Sequence, residues 1–340
     1  MTSPVAVVTG VTGQDGAYLS QHLLELGYSV IGLTRPISNP LTANLDRLGI
    51  TKDIIISTID LTDKGSIERI VSSHRPQKLF NLAAQSFVTA SFDCPYTTAD
   101  INSMGVLRLL ETIRNFSPET KYYQASTSEM FGRVQEIPQT ELTPFHPRSP
   151  YGVSKLFSHW MTINYRESYN LYAVSGILFN HESPLRGKQF VTRKIVSHLT
   201  RLRLGLINEP LFLGNLDAKR DWGHAADYVV GMNLMLDQSK AEDYVLATGE
   251  THSIRQFVAK AAHYLNFALE WQGEGLNEIG INSLTGEHLV CIKKEFYRPC
   301  EVDLLLGSPV KAEQKLGWER RFNLDLLIKD MVDSEMSLVK

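Results

Sequence analysis

The sequence predicts an α/β fold, a doubly wound parallel sheet with helices on both faces, followed by a smaller C-terminal α+β lobe. Three observations predict it. Short apolar runs rich in β-branched residues alternate with helical stretches from Val5 to Phe179, and that alternation builds parallel sheets from βαβ units. The first run, Val5-Ala-Val-Val-Thr9, breaks into Gly10, Gly13 and Gly16 ahead of an amphipathic stretch from Gln14 to Leu26. Beyond Asn180 the texture changes, and helical stretches are separated by irregular segments.

The glycine turn is the strongest local signal. In a strand–turn–helix of this kind the first glycine permits the tight turn and the second lets backbone approach a pyrophosphate. The third lets helix pack on strand, and the helix N-terminus faces the phosphates with unpaired N–H groups. The fold is therefore Rossmann-type and the ligand a dinucleotide. The second strand, Ser29–Thr34, ends where an NAD site would carry a carboxylate for the ribose 2′-hydroxyl; here Thr34 and Arg35 follow. A cation at that place suits a 2′-phosphate, so NADP is expected; the competing reading is a solvated strand-end cation.

The remaining elements follow in order. Ile54–Asp60 reads as a strand ending in an acid, then a helix from about 65 to 74 and a strand over Lys78–Ala83. A long helix is predicted over 97–115, with Val106, Leu107, Leu109, Leu110 and Ile113 on one side, then a strand over Lys121–Ser126. A loop rich in proline and threonine leads to a helix starting near Pro150, with Ser149 suited to its N-cap, and to a strand over Tyr172–Phe179. Ligands of such sheets lie beyond the carboxyl ends of strands, where Gly10, Asp60, Ala83, Ser126 and Asn180 fall. Residues 1–180 are expected to form the cofactor domain. Residues 181–340 form the substrate lobe, with helices near 192–204, 227–238 and 254–265, a hairpin-like excursion over 272–294, and strands crossing back into the main sheet.

Composition narrows the function. With 43% apolar and 21% charged residues the chain can bury a sizeable core, and its net charge of -3 speaks against a nucleic-acid partner. The apolar N-terminal run is short and lacks a basic lead, and nothing approaches a membrane span, so no membrane partner is expected. Cys94, Cys291 and Cys300 are an odd number at no metal-ligand spacing. No metal site is expected, and a reducing, cytoplasmic location fits.

Two short motifs carry chemistry. Tyr151 and Lys155 stand four apart on the helix that opens at Pro150, so both project from one face. A phenol with its ordinary pKa of about 10 is a poor base near neutrality, and a neighbouring ammonium stabilises the phenolate. The pair can take a proton from a sugar hydroxyl as hydride leaves. Thr127-Ser-Glu129 follows the fifth strand. Its hydroxyl can hold a substrate oxygen and its carboxylate can move a second proton; the competing reading is a polar turn with Glu129 as a cap.

These motifs, with Asn81-Leu-Ala-Ala-Gln-Ser86, Gly176-Ile-Leu-Phe-Asn-His-Glu-Ser-Pro184 and Arg220-Asp-Trp-Gly-His224, resemble the GDP-mannose 4,6-dehydratases, which are extended short-chain dehydrogenase/reductases. The likeness runs from Val5 to about Trp318. By this resemblance Thr127, Glu129, Tyr151 and Lys155 match the catalytic residues. Gly10, Gly13, Gln14, Asp15, Gly16, Arg35, Asp60, Leu61, Leu82, Ala84, Ser86, Tyr151, Lys155, Asn180, His181 and Arg186 fall on segments that line the family's NADP. Ser86, Glu129, Asn180, Val191, Lys194, Leu213, Gly214, Arg220, Arg298 and Glu301 fall where the family holds its GDP-sugar. Of the double arginine and two serines that reach a neighbouring subunit in the family, Arg35 and Ser38 remain, and Pro36 stiffens the loop. The implied assembly is a homodimer, with a homotetramer as the alternative.

The implied reaction is dehydration of GDP-D-mannose to GDP-4-dehydro-6-deoxy-D-mannose. Three alternatives stay open: dehydration of another GDP-sugar such as a GDP-heptose, a GDP-sugar 4-reductase or epimerase that needs only Tyr and Lys, and a cofactor-sensing binding protein. A structural ion pair between Arg220 and Asp221 is the competing reading for Arg220.

Overall fold

The computed structural model describes residues 3–36, 41–297, 302 and 304–339. The first half runs β1 (Val5–Thr9), α1 (Gln14–Glu25), β2 (Ser29–Thr34), α2 (Ala43–Arg47), β3 (Ile55–Thr58), α3 (Lys64–His74) and β4 (Lys78–Asn81). It continues through α4 (Ala90–Asp93), α5 (Pro95–Ala99), α6 (Gly105–Phe116), β5 (Lys121–Thr127), α7 (Pro150–Tyr169) and β6 (Ala173–Leu178). The second half adds β7 (Asn180–Glu182), α8 (Val191–Arg203), β8 (Leu211–Leu213), β9 (Lys219–Arg220), β10 (Trp222–His224), α9 (Ala225–Asp237) and β11 (Tyr244–Leu246). Then come β12 (His252–Ser253), α10 (Ile254–Tyr264), β13 (Leu269–Gln272), β14 (Ile279–Asn282), β15 (His288–Ile292), α11 (Val310–Leu316) and α12 (Leu324–Val339).

The main sheet has seven strands in the order β11-β6-β5-β4-β1-β2-β3, every pair parallel. Alternate residues of one strand enter two different cores, as a period of two requires. Ala6, Val8, Val30 and Phe80 pack with α1 and α9 on one face, whereas Val7, Ile31, Leu33 and Leu79 pack with α3 and α6 on the other. Both faces are covered, which is why these strands read as unbroken apolar runs. The strand order reverses between β1 and β4, and the crevice beyond their carboxyl ends is the expected ligand position.

Two features depart from the sequence reading. The long helix is interrupted: between α5 and α6 the stretch Asp100–Met104 is a π-helix. Its Asn102 donates through Nδ2 to Gln85 O at 3.0 Å and to Ser154 Oγ at 3.1 Å, accepts from Gln85 N at 2.9 Å, and takes a very short bond from Ser158 on its carbonyl. The widened turn aims Asn102 at α7 and the β4 loop, and apolar periodicity does not register such a change. The two helices after residue 309 were also not anticipated, although Leu327, Ile328, Met331 and Val332 give α12 a buried apolar stripe against α8 and α10.

The C-terminal half is built around its own core. Ile195, Leu199, Leu211, Phe257, Val290 and Ile328 meet there, and β13, β14, β15 and β8 form a four-stranded sheet. The predicted excursion over 272–294 is the antiparallel run β13-β14-β15. The chain also returns to the main sheet, since β11 pairs with β6 and α9 packs on α1.

Candidate active site

The glycine turn folds as its spacing requires. Gly10 sits at φ 69°, in the left-handed region. A Cβ on Gly16 would lie 2.3 Å from Gly10 O, so helix and strand touch here only because residue 16 is a glycine. Gly13 caps α1 with no side-chain hydrogen bond, leaving the first N–H groups of the helix pointing outward. The side chains of Gln14 and Asp15 turn toward β7 and the loop after it. Gln14 donates to His181 O at 3.1 Å and accepts from Ser183 at 2.7 Å, and Asp15 meets His181 Nε2 at 3.0 Å. Burial pushes the Asp15 carboxyl up, but His181, Gln14 and Arg186 more than offset it and hold it at about 2. Burial works against the His181 imidazolium, and Asp15 outweighs that and raises its pKa.

The floor of the crevice is a buried polar chain. Thr9 Oγ1 donates to Asn81 Oδ1 at 2.7 Å and accepts from the backbone of Leu82 and Ala83. Asn81 donates in turn to Gln124 at 3.0 Å, which donates to Ala125 O at 3.0 Å. Lys155 Nζ donates to the same carbonyl at 2.9 Å. Tyr151 and Lys155 do project from one face of α7, which Ser149 caps by accepting from Gly152 N at 3.0 Å. The ammonium lies 5.9 Å from the phenol ring. Burial pushes the Tyr151 phenol up to about 12, with the Thr127 hydroxyl and Arg186 pulling the other way, and pushes Lys155 down to about 8. The lowering of Tyr151 expected from Lys155 is not found: Lys155 is not among the groups that act on the phenol, and burial leaves it above its ordinary value.

Beyond these groups opens a cleft of about 540 Å³. Its lining includes Ser86, Thr127, Glu129, Tyr151, Asn180, Arg186, Val191, Lys194, Leu213, Gly214 and Arg220. Asn180 Oδ1 is buried and takes no hydrogen bond from any described residue, as expected of a group aimed at a ligand. Lys194 Nζ donates to Phe212 O at 2.6 Å and lies 3.9 Å from the Phe296 ring. Arg220 Nη1 donates to Lys219 O at 2.9 Å and Val302 O at 2.6 Å. Asp221 takes its hydrogen bonds from Thr248, Gly249 N and Gly307 N, and burial still raises its carboxyl to about 6.

The match to known proteins is close. The family model described as GDP-mannose 4,6 dehydratase matches residues 7–331. The chain belongs to the GDP-mannose 4,6-dehydratase family. It is 48% identical to the GDP-mannose 4,6 dehydratase of Dictyostelium discoideum, over 99% of this chain and 97% of that one. It is 47% identical to that of Homo sapiens, over 99% of this chain and 92% of the relative. A UDP-glucose 4-epimerase from Thermotoga maritima, solved with UDP-glucose, superposes with a TM-score of 0.83 over 99% of this chain and 100% of its own. At 23% identity that likeness carries the fold alone.

Within this member of the dehydratase family the cleft gathers Ser86, Thr127, Glu129, Tyr151, Asn180, Arg186, Val191, Lys194, Leu213, Gly214 and Arg220. Lys155 and Leu82 bond to the polar chain of the floor, Ala84 is half-buried in the loop after β4, and Gln14, Asp15 and His181 bond together at the glycine turn of Gly10, Gly13 and Gly16. Arg35 is exposed just past β2. Asp60 accepts from the Thr62 backbone and hydroxyl, which hold its carboxyl below the usual range, and Leu61 is buried against α6. Arg298, Glu301 and Ser38 lie outside the described residues. Sequence reasoning missed Glu182, Phe190, Trp222 and Phe296, all on the cleft wall. Glu182 lies inside the quoted Asn-His-Glu-Ser segment, yet its partners come from the loop and helix that follow, so the motif alone did not mark it.

Proposed function

We propose that this protein dehydrates GDP-D-mannose to GDP-4-dehydro-6-deoxy-D-mannose, using tightly held NADP, in the biosynthesis of GDP-linked deoxysugars. The observation that carries the reading is the meeting of Thr127, Glu129 and Tyr151 in one cleft beside the glycine turn, in a chain of this family. The turn fits the cofactor. The uncapped N-terminus of α1 and Gly13 suit a pyrophosphate, Asn180 offers a buried unmet oxygen, and Arg35 suits a 2′-phosphate.

NADP, held by the glycine turn with Asn180 and Arg35, would supply the redox chemistry when bound, with hydride leaving C4 and returning at C6. The side chains move the protons. Tyr151 takes the proton of the C4 hydroxyl, with Lys155 held against Ala125 O below it and Thr127 orienting the C4 oxygen. The ketone acidifies C5, and Glu129 removes that proton. Glu129 then delivers a proton to the departing C6 hydroxyl, which leaves as water, and a proton returns to C5, so the net change is loss of one water with no net oxidation. Lys194 and Arg220 suit the GDP diphosphate.

The proposed assembly is a homodimer through α7 and the neighbouring α5. Val153, Phe157 and Trp160 recur along one face of α7 at helical spacing and stand 56%, 39% and 54% exposed. The proposed location is cytoplasmic; no described helix is long and apolar enough to cross a membrane, and Cys94 and Cys291 are free. The test is mass spectrometry of purified protein incubated with a panel of GDP-sugars and no added reductant. Loss of 18 mass units from GDP-mannose is expected, since that is one water. A GDP-heptose dehydrated in preference, or a mass-neutral change, would redirect the assignment to the other GDP-sugar dehydratases or to an epimerase.

A further inference from the structure

Among the ionisable groups of the cleft, Glu182 has no part in the proton transfers, yet it is the most deeply placed. It ends β7 at 2% exposure and lines the same cavity as Tyr151 and Glu129. A carboxyl at such depth needs polar partners, and Glu182 has two. Arg186 Nε lies 3.0 Å from Oε2, and the Thr192 hydroxyl donates to Oε2 at 2.5 Å. Arg186 lines the cleft, and Thr192 is buried beside the lining residue Val191. Thr192 is in the first turn of α8, between Val191 and Lys194, and the Arg186 guanidinium lies 3.6 Å from the centre of the Phe190 ring. Ion pair on one side and aromatic face on the other leave Arg186 little choice of orientation. Among the described residues only its Nε stands at ion-pair distance, outside hydrogen-bond alignment, and its terminal amino groups remain to grip an anion.

We propose that Glu182 is a positioning residue: it holds the Arg186 guanidinium over the cleft as an anchor for a diphosphate, and through Thr192 it fixes that anchor to the first turn of α8. The inference rests on reading the cleft as a nucleotide-sugar site beside a dinucleotide site. Both ligands carry a diphosphate, and the same fork of donors suits either. The guanidinium also acts on the reactive end of the cleft, because it is one of the charges that favour the Tyr151 phenolate.

The test compares the parent with Glu182→Gln, Arg186→Gln and the double variant, measuring NADPH affinity by fluorescence and GDP affinity by calorimetry. Glu182→Gln should weaken one of the two ligands about tenfold, as expected for a misplaced charge-assisted contact. The ligand that weakens identifies which diphosphate Arg186 grips. Arg186→Gln should weaken the same ligand at least as much, and the double variant no more than Arg186→Gln alone, because one residue acts through the other. Affinities within about twofold of the parent for both ligands, or losses that add in full, would overturn the proposal. Should Glu182→Gln fail to fold, Glu182→Asp keeps the charge, shortens the reach and should show the same selective loss, and equal affinities in that variant would also overturn it. A parent protein that binds neither NADPH nor GDP would instead refute the proposed function.

Discussion

Each side chain proposed as catalytic stands in a surrounding that fits one task. Tyr151 is buried at 8% exposure with Thr127 beside it, and its phenol stays protonated at neutral pH until a substrate and a positive charge reach it. Tyr151→Phe should abolish the first oxidation, with a loss of about two to four orders of magnitude and GDP binding intact. A fall of less than about tenfold would mean that another group takes the C4 proton. Glu129 is half-buried at the start of the turn after β5, with its N–H donated to Thr127 Oγ1 at 3.3 Å. Glu129→Gln removes only the second proton carrier, so GDP-mannose should produce a transient NADPH absorbance without dehydrated product. Full turnover by that variant would remove Glu129 from the mechanism. Arg220, on β9, lines the cleft and is assigned to the nucleotide, remote from C4 to C6 in this reading. Arg220→Ala should raise KM by about 10- to 100-fold with little change in kcat, the form expected when ground and transition states lose the same contact. An unchanged KM with a lowered melting temperature would return Arg220 to a structural role.

At the scale of elements, the glycine turn and β7 form one unit. Gln14 and Asp15 lie within the turn's own motif, but their side chains reach across 167 and 166 residues of sequence to His181. Asp15 is held at about 2, below its ordinary 3.8, so its contribution is present above pH 3.8 and lost as pH falls through about 2. His181 is raised above its ordinary 6.5, so its contribution is full below pH 6.5 and lost as pH rises through the higher value. The pair should stabilise the fold most between about pH 4 and 6.5, by about 2 kcal/mol. The stability difference between parent and Asp15→Asn, from urea titrations at pH 5, 6, 7 and 8, should be largest at the acid end and shrink toward pH 8. A difference that stays flat would mean that the ion pair is not the bond between turn and strand. The same unit shows what could be read beforehand. Gly10, Gly13 and Gly16, and Tyr151 with Lys155, were legible because their meaning lies in local spacing on a strand–turn–helix and on a helix face. The partners of Gln14, Asp15 and Glu182, and the π-helical stretch around Asn102, were not, because each is decided by a neighbour that only the folded chain brings near.

At the scale of the whole molecule, α7 and α5 present an apolar surface that the described residues do not cover. Val153, Phe157 and Trp160 lie on one face of α7, and Tyr96 on the adjoining α5 is 90% exposed. The inner face of the same helix carries Tyr151 and Lys155, and the π-helical stretch bearing Asn102 is bonded to Ser154 between them. A second copy packed on the outer face would bury the exposed aromatics across a two-fold axis, where each patch meets its own image. It would also brace α7 from behind, so that assembly and catalytic geometry are coupled through a single helix. Trp160→Glu places a charge at the centre of that face, which desolvation would make strongly unfavourable in a dimer and harmless in a free subunit. Light scattering on the eluting protein should show a dimer for the parent and a monomer for the variant. Turnover should fall with dissociation, while circular dichroism stays unchanged because the face is already solvated in one subunit. A variant that remains dimeric with full turnover would place the interface elsewhere on the molecule.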